Sequence, residues 1–303
     1  MSGYHTPVLL KESVNGLNID PDGTYVDVTF GGGGHSKEIL KKIDKGKLIA
    51  FDQDLDSEEN RINDPRFLFV RQNFRYLKNN LRFLGVEGVS GLIADLGVSS
   101  HQFDLTGRGF SFRGDGPLDM RMNQNAEQSA AEIIMSLNEE ELAILFWTYG
   151  EIKNARRLAS VIVKSREEEG INSIGRFLKV IDSCVPVKDR NKYLAKVFQA
   201  IRIEVNKELD SLKKLLIQSS EVILKSGRLV VITYHSLEDR LVKNFIKYGD
   251  FKPVENTDLY GNVLRPFKAV NRKVIVPSED EVNSNPRGRS AKLRIAARTD
   301  YLA

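Results

Sequence analysis

Four consecutive glycines, Gly31, Gly32, Gly33 and Gly34, stand between an apolar run at 24–30 and a helical pattern that starts at His35. A chain that leaves a strand through such a turn and enters a helix at once points to a parallel α/β sheet, whose first strand–helix turn approaches a ligand closely. The rest of the first hundred residues agrees. Apolar runs at 47–52, 67–71 and 89–96 alternate with helical patterns at 35–42 and 76–84, and 57–61 reads as a short polar helix start. Strands and helices alternating at this spacing predict a parallel sheet with helices on both faces.

The pattern breaks after the fourth strand. Residues 103–125 carry Gly107, Gly109, Gly114, Gly116 and Pro117 with little periodicity, and a loop this long inside a domain is commonly functional. From Ser129 to about 224 only helical patterns occur. Asn138 with Glu141 reads as a capped helix start ahead of Leu142, Leu145 and Phe146, and a helix over 153–169 is stopped by Gly170. Strand signals return at 228–234, 273–276 and 292–296. The expectation is one α/β domain, 1–104 with 215–303, interrupted by an all-helical insertion at 105–214.

Several function classes are disfavoured. At 303 residues and 41% hydrophobic, the composition is that of a soluble protein with a real core. No apolar run approaches the ~20 residues that span a bilayer, and the first residues lack the order of a signal peptide, so a cytoplasmic protein is expected. Cys184 is the single cysteine and sits at helical spacing with Phe177, Val180 and Ile181, as a buried core thiol would. The four histidines share no ligand-like spacing, and no metal site is expected. His235, Ser236 and Asp239 lack the Gly-x-Ser-x-Gly elbow of a hydrolase, and Ser236 reads as a helix cap.

The glycine turn and its neighbours carry the chemistry. Asp52 ends the second strand 21 residues after Gly31, where an acid accepts hydrogen bonds from ribose hydroxyls. A dinucleotide would bring a pyrophosphate, which Asp27 just ahead of the turn disfavours. S-adenosyl-L-methionine has no phosphate and carries a sulfonium and an ammonium, which an acid suits. Asp27 also reads as a strand-end cap, and a nicotinamide oxidoreductase is the alternative on the same fold. Asp95 ends the fourth strand and Gln102 follows it, at the carboxyl edge of the sheet where ligands lie.

These residues fall in motifs of a known family. His5-Thr6-Pro7-Val8-Leu9-Leu10, Thr29-Phe30-Gly31-Gly32-Gly33-Gly34-His35-Ser36 and Asp95-Leu96-Gly97-Val98-Ser99-Ser100 resemble the bacterial ribosomal RNA small-subunit methyltransferase H family, the cytosine-N4 methyltransferases also called MraW. So do Arg108-Gly109-Phe110-Ser111-Phe112, Gly116-Pro117-Leu118-Asp119-Met120-Arg121-Met122, Phe198-Gln199-Ala200-Ile201-Arg202, His235-Ser236-Leu237-Glu238-Asp239-Arg240 and Asn285-Pro286-Arg287-Gly288-Arg289-Ser290. The resemblance runs from His5 to about Arg298. It implies a Rossmann-like class I methyltransferase sheet, S-adenosyl-L-methionine contacts at Gly33, Gly34, His35, Asp52, Phe74, Asp95 and Gln102, and N4-methylation of a cytidine in the decoding region of the small subunit. The partner it implies is small-subunit ribosomal RNA or the assembled subunit, whose decoding-region RNA the inserted helical domain would recognise. Gly32, His101 and Tyr234 depart from residues many members have there, namely Arg, Pro and Phe.

A cytosine amino group is a poor nucleophile because its lone pair is shared with the ring. An acceptor on its N–H helps it pyramidalise and then lose a proton. Asp95, the Leu96 carbonyl, Ser99 and Ser100 are the candidates, with Asp119 behind them; Asp119 reads equally well as a salt bridge to Arg121 or Arg113. The base must leave its stack, and Phe110 and Phe112 either stack on it or anchor their loop. Between Arg265 and Arg298 nine Lys/Arg face three acids, a net +6 against +4 for the whole chain. With Arg113, the residues Arg287, Arg289, Lys292 and Arg294 are the candidate RNA contacts. A non-catalytic RNA-binding assembly factor is the alternative from another class, and a homodimer stays open.

Overall fold

A computed structural model of the chain describes residues 7–301, so His5 and Thr6 of the first motif lie outside the described residues. The chain forms two compact units, one running to Gly97 and resuming at Leu209, the other Val98–Glu208.

The first unit is built on a seven-stranded sheet. Its strands are β1 (Thr24–Asp27), β2 (Lys47–Asp52), β3 (Phe67–Arg71), β4 (Val89–Asp95), β5 (Ile223–Thr233), β6 (Phe267–Ala269) and β7 (Lys292–Arg298), in the order β3-β2-β1-β4-β5-β7-β6. The first five are parallel, and β7 runs antiparallel between β5 and β6. Alternation along each strand divides the core in two. Leu92, Ala94, Leu229 and Val231 face one side and pack with α3 (Leu77–Phe83), α10 (Glu208–Val222) and α11 (Ser236–Tyr248). Ile93, Val230 and Ile232 face the other, with α1 (Leu10–Gly16) and α2 (Gly34–Leu40). The α/β expectation holds. The chain lays β1, β2 and β3 outward in one direction and then returns to place β4 and β5 on the other side of β1. The crevice at that reversal is where open α/β sheets bind ligands.

Residues 273–276 are not a strand. Ile275 makes one isolated bridge to Leu293, because β6 already occupies the outer edge of β7 from Ala296 to Arg298. The cap of α11 is His235 and not Ser236. Glu238 N–H donates to His235 Nδ1 at 3.4 Å, and Glu238 Oε2 accepts from His235 N–H, with only Tyr234 between the cap and the end of β5.

The second unit is helical: α4 (Ser100–Asp104), α5 (Ala130–Ser136), α6 (Glu139–Gly150), α7 (Ala155–Glu168), α8 (Ile174–Ile181) and α9 (Arg190–Asn206). Its core gathers Leu142, Phe146, Leu158, Phe177, Val197 and Ile201, with Cys184 buried among them. Asn138 and Glu141 form the reciprocal cap of α6. The break falls at Val98 and not 105, since Ser99 already caps α4, and at Glu208 and not 214, since α10 is continuous and turns Leu212, Leu215 and Leu216 onto the sheet. The glycine-rich loop before α5 is held in place. Arg108 Nη2 donates to the Arg121 and Met122 carbonyls, while Asn206 bonds the backbone of Met120 and Met122. Among the described residues, no helix is long and apolar enough to cross a membrane.

Candidate functional site

Three aspartates end three neighbouring strands at the carboxyl edge of the sheet: Asp27 on β1, Asp52 on β2 and Asp95 on β4. Adjacent parallel strands in register force this, since Asp27 lies opposite Ala50 on one side and Ile93 on the other. The three carboxyls have different duties.

Asp27 is buried and works inward. Its Oδ2 accepts the Ser36 hydroxyl at 2.7 Å and its Oδ1 accepts the Thr29 N–H at 3.1 Å, tying β1 to α2. Burial pushes its pKa up to about 6. The expectation that Asp27 meets the cofactor gives way to the strand-end cap, because Asp27 is 1% exposed and its carboxylate bonds only within the unit.

Asp52 closes the glycine turn. Oδ2 accepts the Gly31 N–H at 2.7 Å and Oδ1 accepts the Asp54 N–H at 2.9 Å. Burial raises its pKa to about 6, and the two backbone donors only partly offset that. Gly31 has φ 50, a conformation that disfavours a side chain, and nothing lies within 4 Å of where its Cβ would stand. The turn therefore presents open backbone beside Asp52. Gly33, in the left-handed region, is the residue before α2, and Gly34 is the first residue of that helix. Phe74 lies just beyond β3, half-buried against the core, where Asn73 Nδ2 donates to Gln53 Oε1 at 2.7 Å.

Asp95 is the third. Its side chain keeps 22% exposure, and its backbone N–H donates to the Thr29 hydroxyl at 2.6 Å. Oδ1 accepts the Tyr234 phenol at 2.7 Å, and Oδ2 lies 3.9 Å from His35 Nδ1. His35 is buried, which holds its pKa down at about 4, so the imidazole is neutral at pH 7 and forms no ion pair. Burial pushes Asp95 up to about 7. Tyr234 and Thr29 are the site residues that motif reading passed over. No local signal marks Tyr234: it lies two residues past Ile232, which meets Asp95 only once β4 and β5 pair.

Among the described residues neither Asp52 nor Asp95 has a lysine or arginine partner, so this end of the sheet carries uncompensated acid. A pyrophosphate would meet repulsion here. A ligand with positive charge and hydroxyls, as S-adenosyl-L-methionine has, fits the donor and acceptor set.

The second unit holds the other candidates. Ser99 and Gln102 cap α4 reciprocally, with Gln102 N–H on Ser99 Oγ at 3.2 Å and Ser99 N–H on Gln102 Oε1 at 3.0 Å. Ser100 is the first residue of that helix. Asp119 is held by Arg121, whose Nη2 and Nε reach its carboxylate at 2.7 and 3.0 Å, so it serves as a loop clamp and no longer as a free proton acceptor. Phe110 is 4% exposed in the helical core, and Phe112 packs edge-on against Phe198. Phe110 anchors its loop, because burial leaves it no face for a base, and the partly exposed Phe112 helps hold the loop through Phe198. Arg113 is exposed.

The basic C-terminal segment divides. Arg287 and Arg289 are exposed on a 3-10 turn, Pro286–Ser290. Arg294 and Lys292 both bind Asp239, at 2.7 and 3.3 Å. Arg298 is 6% exposed and donates to the carbonyls of Ser220, Pro266, Thr299 and Tyr301. The +6 excess is therefore not one phosphate-binding face.

With this geometry in hand, the comparisons with known proteins are specific. The model of the MraW methylase family matches residues 2–299. The ribosomal RNA small subunit methyltransferase H of Bacteroides thetaiotaomicron is 58% identical over 294 residues, covering 97% of each chain. Its counterpart in Parabacteroides distasonis is 59% identical over 297 residues, again covering 97% of each. A solved rRNA methylase from Streptococcus thermophilus is similar at 13% identity over 98% of this chain and 99% of its own, with a TM-score of 0.39.

Proposed function

This chain belongs to the MraW methylase family, and from that premise we propose that it transfers a methyl group from S-adenosyl-L-methionine to N4 of a cytidine in small-subunit ribosomal RNA, in the cytoplasm. The observation that carries the reading is the pair Asp52 and Asp95, two partly exposed carboxyls without a cationic partner, flanking an open glycine turn at the reversal of the sheet.

When bound, the cofactor supplies an already activated methyl group. Asp52 would hold the ribose hydroxyls with the lone pairs left free by Gly31 and Asp54. The bare Gly31 turn lets a ligand approach the backbone, and Phe74 is a further proposed contact, apolar in character. Asp95 is the proposed acceptor for the amino proton of the target base, poised by a pKa near neutrality to take it. Ser99, Ser100 and Gln102 remain proposed contacts on the strength of the motif they belong to. The target base must be unpaired or flipped, since its amino group is otherwise engaged in a base pair inside the helix. RNA recognition is assigned to the helical unit together with Arg287 and Arg289.

Mass spectrometry of small-subunit RNA from cells with and without the gene tests this. The expected result is loss of one N4-methylcytidine in the deletion strain and its return when purified protein and methyl donor are added to subunits. Unchanged methylation with retained subunit binding would favour the assembly-factor alternative.

A further inference from the structure

We propose that Tyr234 is a positioning residue: its phenol fixes the Asp95 carboxylate in one orientation and favours its ionised form. The inference rests on the assignment of Asp95 to the reaction and names what controls it.

Asp95 is surrounded by groups that oppose its charge or ignore it. Asp27 on β1 and Glu238 on α11 are acids whose charges disfavour another nearby. His35 on α2 is neutral at pH 7 and lies 3.9 Å away. The Thr29 hydroxyl accepts from the Asp95 backbone and turns its own proton to Asp27. Tyr234 on β5 donates to Oδ1 at 2.7 Å, and among the described residues no other side chain donates a hydrogen bond to Asp95. A donor to a carboxylate favours the ionised form, so this one bond works against burial and two acids.

The phenol is built to remain a donor. Burial, with the Asp95 and Glu238 charges, raises its pKa well above 10, so it stays protonated wherever Asp95 titrates. The ring is also held in place. Tyr234 N–H donates to Glu238 Oε2 at 3.0 Å, and Leu96 N–H to the Ile232 carbonyl at 3.0 Å, locking the ends of β4 and β5 together. Gly97, at φ 98, turns the chain away after β4, and a Cβ there would stand 3.4 Å from the tyrosine ring. With Oδ1 fixed, Oδ2 is the oxygen left for a reacting group.

Tyr234→Phe removes the donor and keeps the ring, so packing is preserved. The first readout needs no methyl donor: protein labelled with carbon-13 at the aspartate carboxyls is titrated by NMR, and Asp95→Asn identifies the Asp95 signal. Loss of one charge-assisted hydrogen bond is expected to raise the Asp95 midpoint by about one pH unit. The second readout is methyl transfer against pH. The acid limb is expected to move up by the same interval, leaving activity about five-fold lower at pH 7 and restored near pH 9. Identical titration curves for wild type and Tyr234→Phe overturn the proposal, whatever the activities. A shifted titration, together with an Asp95→Asn enzyme as fast as wild type, instead overturns the place of Asp95 in the reaction.

Discussion

Asp52 Oδ2 accepts the Gly31 N–H at 2.7 Å, so the acid that ends β2 also fixes the turn that follows β1. One carboxylate shapes the backbone of the site and keeps lone pairs for a ligand. Asp52→Ala should therefore weaken S-adenosyl-L-methionine binding by roughly 1–3 kcal/mol, the range for a lost charge-assisted hydrogen bond, and lower the melting temperature as well. Calorimetric titration beside thermal unfolding checks both. Unchanged affinity would remove Asp52 from the site.

Asp95→Asn keeps the shape and an acceptor for Tyr234 while abolishing the charge. Turnover should fall by about two orders of magnitude or more, as for loss of a general base. Stability at pH 8 should hold or rise, because burial opposes ionisation of the natural side chain. A variant that is both inactive and unfolded would make Asp95 a structural residue.

The same carboxyls set how stability depends on pH. Burial lifts Asp27 and Asp52 to about 6 and Asp95 to about 7, all above the ~3.9 of an unfolded aspartate. The folded chain keeps protons there that the unfolded chain has released. The stability they contribute is complete below pH ~4 and is lost as pH rises through 6 to 7. His35 acts in the opposite sense, since its depressed pKa removes stability as pH falls from ~6.5 toward about 4. Protein without methyl donor should thus melt at a higher temperature at pH 6 than at pH 8, with a smaller difference in Asp95→Asn. Scanning fluorimetry across that window decides; a melting point that climbs with pH would contradict the assignment.

Replacing Arg287 and Arg289 with Gln should weaken RNA binding broadly and flatten its salt dependence. Two lost phosphate contacts on a single strand reduce the log–log slope by about 1.4. Arg298→Gln is the contrast. It removes the guanidinium bonds to the Ser220, Pro266, Thr299 and Tyr301 carbonyls, so it should lower the melting temperature and leave the slope alone. Binding to small-subunit RNA measured against salt separates them. An unchanged slope in the double variant would place RNA elsewhere on the protein.

The sequence alone determined the alternation of strands and helices, the glycine turn, and the acids at strand ends. Those features are local: a period of two or of 3.6, a run of glycines and an acid closing an apolar stretch are written in neighbouring residues. The helical insertion and the cap of α6 by Asn138 and Glu141 were legible for the same reason. Only the tertiary structure decided which acid faces where. Asp27 and Asp95 look alike in sequence, yet Ser36 takes the first inward while Tyr234, 139 residues away, holds the second at the crevice. The basic tail shows the same limit. Its charge count is a property of composition, but Asp239 binding Lys292 and Arg294, and carbonyls from distant segments enclosing Arg298, depend on how β5, β6 and β7 pair. A side chain's role is set by the partners folding brings within 3 Å, and long-range pairing leaves no periodic trace in the chain.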